Sequence, residues 1–162
     1  MRVLLLVFLF STVAFGQSIQ DQVKKLKESG RYEVKYDKFA RETTVQYTTD
    51  IRNAKRGLTI PQHLDFVVIV TIPDAGARSY AFFFFGGRVI YNHDKLRLLL
   101  DGQLLDLKDD ANIDESAGFA VEPSEWRKIL DAKSVEMQLR NFESTWSKDV
   151  LSALKNLDTI NK

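Results

Sequence analysis

A chain of 162 residues with no cysteine, 23 Lys+Arg against 22 Asp+Glu and a formal charge of +1 excludes disulfide staples, thiol catalysis and thiolate metal sites. A chain this long can bury enough core to fold without covalent help, and it corresponds to about one domain. The near-neutral balance supplies no electrostatic footprint for DNA or RNA and no polybasic run for an anionic membrane, so neither nucleic acid nor a charged bilayer is an expected partner.

The opening residues, MRVLLLVFLFSTVAFG, place Arg2 ahead of an apolar run from Val3 to Phe10 and end with small residues at Ala14 and Gly16. This is the three-part plan of a secretory signal peptide, with the cut expected between Gly16 and Gln17. The apolar run is shorter than the about 20 residues a bilayer span requires. The expected organisation is therefore a signal peptide at 1–16, a short amphipathic helix or leader at 17–30, and a single α+β domain at 31–162. Cleavage removes Arg2 alone among the charges and leaves a formally neutral mature chain with no expected membrane span. Without cysteine there is no site for N-terminal lipid attachment, and export without disulfides fits a periplasmic or extracellular setting in bacteria.

Along the chain, SIQDQVKKLKES (18–29) spaces Ile19, Val23 and Leu26 as one helical stripe and stops at Gly30. From residue 31 the period becomes two. Tyr32, Val34 and Tyr36 alternate with Glu33, Lys35 and Asp37, and ETTVQYTTDI repeats the pattern with Val45, Tyr47 and Thr49. LDFVVIVTIP (64–73) and SYAFFFF (79–85) are apolar on both sides, which predicts central strands covered by a packing layer above and another below. PDAGARS joins these two strands, and Gly86-Gly87 allows RVIYN to fold back as another. Asp101-Gly102 between apolar runs is a hairpin signal, so an antiparallel meander is expected.

DDANIDESAG (109–118) reads as an acidic loop before a short strand, FAVE. Pro123 and Ser124 open a helix carrying Trp126, Ile129 and Leu130. VEMQL alternates cleanly, with Val135, Met137 and Leu139 inward, and as an edge strand it would be able to pair with a partner. Ser147 is the expected N-cap of a last helix, with Trp146 and Leu151 as a hydrophobic staple and Val150, Leu151, Leu154 and Leu157 as its buried stripe. The fold class expected is α+β: a strongly curved antiparallel β-sheet or sandwich-like meander of about seven or eight strands, with two C-terminal helices packed on it.

Signals for chemistry are few. Asp110, Asn112 and Asp114 occupy positions 1, 3 and 5 of a calcium-loop pattern, but the required glycine is Glu115 and the bidentate glutamate is Val121, so the stretch reads as a solvated loop unless those three oxygens hold a metal. His63 and His93 stand close in sequence to Asp65 and Asp94, a pairing that can orient an imidazole as a general base. No nucleophile elbow, zinc helix or phosphate-cradling glycine loop accompanies them. Phe66, Tyr80, Phe82, Phe84 and Tyr91 would line an apolar groove for a lipid or peptide if the layers of the sheet do not close, and would be ordinary core if they do.

YDKFARETTVQY, the Asp-Gly hairpin and ILDAKSVEMQL followed by a leucine-spaced helix resemble uncharacterised secreted bacterial proteins, over residues 36 to 157. The resemblance implies an exported, bacterial setting and carries no assigned activity, so it transfers no functional residue. The function expected from these residues is an exported, non-catalytic binding or interaction module without a cofactor, its partner an unidentified protein or apolar ligand. The alternatives are a small hydrolase or isomerase using a loop histidine, and a carrier of apolar ligands.

Overall fold

The computed structural model describes residues 32–54, 62–86, 95–113 and 116–160, together with Asp21, Gln22 and Lys24; the side chains of 109–113 are not among those described. Nine strands and two helices follow in chain order: β1 (Tyr32–Asp37), β2 (Glu42–Arg52), β3 (His63–Pro73), β4 (Ser79–Phe85), β5 (Lys95–Leu100), β6 (Gln103–Ile113), β7 (Ser116–Val121), α1 (Pro123–Asp131), β8 (Val135–Leu139), β9 (Phe142–Thr145) and α2 (Lys148–Asp158). All pair antiparallel in the order β1-β2-β3-β4-β7-β6-β5-β8-β9. The expected fold class is the observed one, an antiparallel sheet with two C-terminal helices. The sheet departs from a simple meander where β4 neighbours β7 and where β5 neighbours β8.

Strand β6 makes the sheet curve. Its first half, Gln103–Lys108, pairs with β5, while its second half pairs with β7 after a register shift between Asp109 and Ala111. An extra residue in one strand sharpens the local twist and lets that strand pass from one packing plane to another. Of the stretch 109–118, expected as a loop, 109–113 form the far half of this corner strand and 116–118 open β7, paired with β4. The two planes face each other across one continuous core. At the open side, the Ala54 amide donates to the Glu143 carbonyl (2.6 Å) and the Glu143 amide to Asn53 Oδ1 (3.3 Å), which ties the end of β2 to the β9 edge.

The core is lined from both planes and closed by the helices. Leu96, Leu98 and Leu100 of β5 and Val135, Met137 and Leu139 of β8 point inward from one plane; Val45, Tyr47, Phe66, Val68, Phe82 and Phe84 point inward from the other. Helix α1 lays Trp126 on Tyr80 (ring centroids 4.6 Å apart, 16° between planes) and beside Phe82. Trp146, just ahead of α2, contacts Phe66 at 5.0 Å and Phe82 at 5.7 Å. Ser147 caps α2 as expected, its hydroxyl accepting from the Val150 amide (3.3 Å). Glu125 accepts from the Glu122 amide at the start of α1 (2.9 Å).

The helices are joined to each other and to the sheet by Asp158 and Arg78. Asp158 accepts from the Trp126 indole (3.1 Å) and from Arg127 (2.8 Å), and Arg78, in the β3–β4 connection, donates to the Asp158 and Ile160 carbonyls at the end of α2. A guanidinium there satisfies carbonyls that the helix leaves unpaired and complements its dipole. VEMQL is not an edge: β8 lies between β5 and β9, so its backbone is already paired on both sides.

The Asp101-Gly102 turn has positive φ at both residues (48° and 88°), the geometry of a type I′ hairpin. Asp101 also accepts from the amides of Lys133 (3.0 Å) and Ser134 (2.8 Å), which fastens this hairpin to the α1–β8 connection. Those amide bonds, first from Lys133 and then from Ser134, hold its carboxyl below the usual range. A depressed folded-state pKa contributes stability above the unfolded value of about 3.9, which is lost as pH falls through the folded value. Asp101→Asn keeps the turn but removes the charge: the variant is expected to be less stable than the parent at pH 7, with the gap narrowing below about pH 4 in urea titrations. The tryptophans supply a second comparison. Among the described residues, the Trp146 indole nitrogen is buried without a hydrogen-bond partner, whereas that of Trp126 is bonded to a carboxylate. Trp126→Phe is expected to cost about 1 kcal/mol more than Trp146→Phe, read from urea midpoints.

Candidate functional site

Phe66, Tyr80, Phe82 and Phe84 are brought together, as the sequence reading required, but as packed core. Phe66 stacks on Phe84 (4.9 Å, 12°) and meets Phe82 edge-on (5.4 Å), and Phe84 meets Phe119 (6.0 Å). All four are buried. The three described depressions, of about 340, 330 and 420 Å³, are lined by other residues. Tyr91 lies outside the described residues.

Of the calcium-loop pattern, Asp110 and Asn112 belong to β6, their side chains outside those described, and Asp114 lies outside the described residues altogether. Among the described residues no cluster of three or more His, Asp or Glu is arranged to hold a metal. His63 stands exposed at the first residue of β3, its Nδ1 3.6 Å from Asp50 Oδ2 on β2. Its carboxylate neighbour is therefore set by strand register and is not Asp65, and His63 lines none of the three depressions. His93 lies outside the described residues.

The outer face of the sheet distinguishes its two planes. On β5, β6, β8 and β9 it is charged and cross-linked: Asp106 pairs with Lys95 (3.2 Å) and Arg97 (3.5 Å), Arg97 donates to Gln138 (3.3 Å), and Gln138 donates to Glu143 (3.0 Å). Leu99 and Leu104 sit at its margin, exposed. This is a solvated face, and its surface pairs add little to stability.

On β2, β3, β4 and β7 the outer face carries no charge across three consecutive rows. Thr44 of β2 lies opposite Thr71 of β3, which lies opposite Ser79 of β4. The next row runs Gln46, Ile69, Ala81 and Ala120, and the next Thr48, Val67, Phe83 and Gly118. Charges begin only at the borders, with Glu33 and Lys35 on β1 and with Asp50 and Asp65 beyond the third row.

Phe83 and Phe85 lie on this side, their rings 6.4 Å apart at 21°. The expectation of full cover on both sides of β4 is corrected here: the inner rings are sealed, while Phe83 is half-buried and Phe85 is 39% exposed. The two helices both pack on the inner face, which leaves the outer one without a helix among those of the C-terminal part. The sequence reading treated the second set of apolar residues as more core. The overlooked signal was the absence of Lys, Arg, Asp and Glu from 44–48 of β2, 67–71 of β3 and 79–85 of β4.

No family model, no curated protein and no solved structure matches this chain. Among the described residues, no helix is long and apolar enough to cross a membrane.

The two faces of β4 are expected to respond differently to truncation. Phe84→Ala removes a ring stacked in the core and is expected to cost about 3–5 kcal/mol in chemical denaturation. Phe85→Ala is expected to change stability by about 0.5 kcal/mol or less, as at an ordinary surface position.

Proposed function

We propose that the protein is an exported, non-catalytic interaction module whose contact surface is the uncharged outer face of β2, β3, β4 and β7. The observation that carries this reading is the contrast between the two outer faces of one sheet. On β5, β6, β8 and β9 the outward positions include Lys95, Arg97, Asp106, Glu136 and Glu143, with Leu99 and Leu104 exposed at the hairpin end. Across the uncharged block, the outward positions are Thr, Ser, Gln, Ile, Val, Ala, Phe and Gly. A face built of such side chains gains by being covered with apolar surface and strongly selects against a charged partner.

The occupant that fits is a partner protein presenting an aliphatic surface, with the sealed aromatic core as the scaffold behind the face. The signal-peptide plan of residues 1–16 supports an exported setting. A catalytic reading lacks a constellation among the described residues, since His63 has an exposed carboxylate partner and lines none of the three described depressions.

A photoreactive benzophenone side chain placed at Phe85 tests this in the exporting cell, with Leu99 on the charged face as the control. The expected result is a discrete intermolecular adduct from position 85 and none from position 99, on a chain whose mass begins at Gln17. No adduct at 85, or the same adduct from both positions, would contradict it.

A further inference from the structure

We propose that the protein self-associates through the outer edge of β1, two copies pairing β1 with β1 antiparallel about a two-fold axis at Val34. Among the described residues, β1 and β9 end the sheet. Strand β9 is four residues long, and Asn53 and Ala54 take up part of its edge. Strand β1 is longer and regular: its six residues pair with β2 in unbroken register, with neither proline nor bulge. Its other side offers main-chain donors and acceptors that no described strand meets.

Edge strands are ordinarily blunted by charge, and β1 carries Glu33, Lys35 and Asp37 on its outward side. The order of those charges decides what the edge accepts. A two-fold axis perpendicular to the sheet sets outward side chains opposite outward ones, and in every register one residue faces its own copy. With Glu33 on the axis, Glu33 meets Glu33. With Lys35 there, Lys35 meets Lys35 and Glu33 meets Asp37. With Val34 on the axis, Glu33 of each copy meets Lys35 of the other, Val34 meets Val34, and each Tyr32 meets a Tyr36. Placing Tyr36 on the axis also matches charge, Lys35 against Asp37, but then only 35–37 of the strand overlap. The Val34 register alone combines opposite charges with overlap of 32–36.

The inward side of the strand agrees. Tyr36 is 59% exposed on the side that Tyr32 and Val34 turn toward the core. In this register its ring lies beside Tyr32 of the other copy, which itself leans on Tyr47 at 5.3 Å. Within each copy Glu33 already pairs with Lys35 (2.8 Å), so joining the two edges builds a cluster of four alternating charges. One short edge covers less than the roughly 800 Å² per partner of a stable dimer, which makes the association weak, concentration-dependent and sensitive to salt. The same axis leaves the uncharged outer blocks of both copies on one side of the joined sheet.

Sedimentation velocity on the chain from Gln17 onward is expected to show a monomer–dimer equilibrium as concentration rises. Glu33→Lys and Lys35→Glu, each alone, set like charges opposite one another and are expected to raise the dissociation constant about tenfold. Mixed together, these two variants place Lys opposite Glu at both contacts, and dimers are expected to return. Thiols then report the register, because the chain has no cysteine of its own. Glu33→Cys mixed with Lys35→Cys sets one thiol opposite another and keeps one Glu33–Lys35 contact. Mild oxidation is expected to link the mixture and neither variant by itself, since thiols at the same position of the two copies are offset by two residues, about 7–8 Å. Both positions are exposed, so these variants keep the fold.

A chain that stays monomeric throughout, a dimer equally strong in Glu33→Lys and Lys35→Glu, or oxidation that links each thiol variant alone as readily as the mixture, would overturn the proposal.

Discussion

The structure depends on one ring cluster on the inward side of a single strand: Tyr80 and Phe82 meet two tryptophans that come from different parts of the chain, and Phe84 packs on Phe66 and Phe119. Phe82 touches Phe66, Trp126 and Trp146. Each buried ring contributes about 2 kcal/mol from the surface it removes from water, and well-oriented pairs add about 1 kcal/mol more. Helix α1 and the segment leading into α2 are held in place by that contact, with Asp158 and Arg78 fixing their mutual position.

A second constraint is the curvature of the sheet. Nine strands in a flat sheet would leave an extensive apolar face uncovered by two short helices. The register shift in β6 folds the β5–β8–β9 plane back toward the first, so the two inner faces cover one another and the helices close the remaining space. The bonds from Asn53 and Ala54 to Glu143 occupy part of the β9 edge, which otherwise would invite pairing with another chain. With the interior accounted for in this way, the uncharged outer block on β2, β3, β4 and β7 is a surface whose composition core packing does not explain.

Period-two patterning made the strands at 32–37, 42–52 and 135–139 legible, because one-face burial writes itself into alternation. The Asp101-Gly102 turn was legible because positive φ at two successive positions restricts the residues that fit, and the Ser147 cap because a side-chain oxygen must meet a free amide. Strand β9 escaped notice: its turn is Arg140-Asn141, with Arg140 at φ 53°, and an arginine carries no signature of that conformation. The far half of β6 escaped because its acidic, small residues mimic a loop, and pairing across a bulge is a property of the neighbour strand. Most instructive is SYAFFFF. Four adjacent phenylalanines state that both faces are apolar, but which partner covers each face is a matter of topology, and only the inner one is met by the C-terminal helices.

The central claim is that the two faces of β4 have different roles, structural inside and receptive outside. The most direct measurement is paramagnetic relaxation of the phenylalanine rings by a soluble, uncharged agent in the mature protein. The account predicts strong relaxation of Phe85 and almost none of Phe82 and Phe84. Equal protection of Phe84 and Phe85, or relaxation of Phe82, would contradict it.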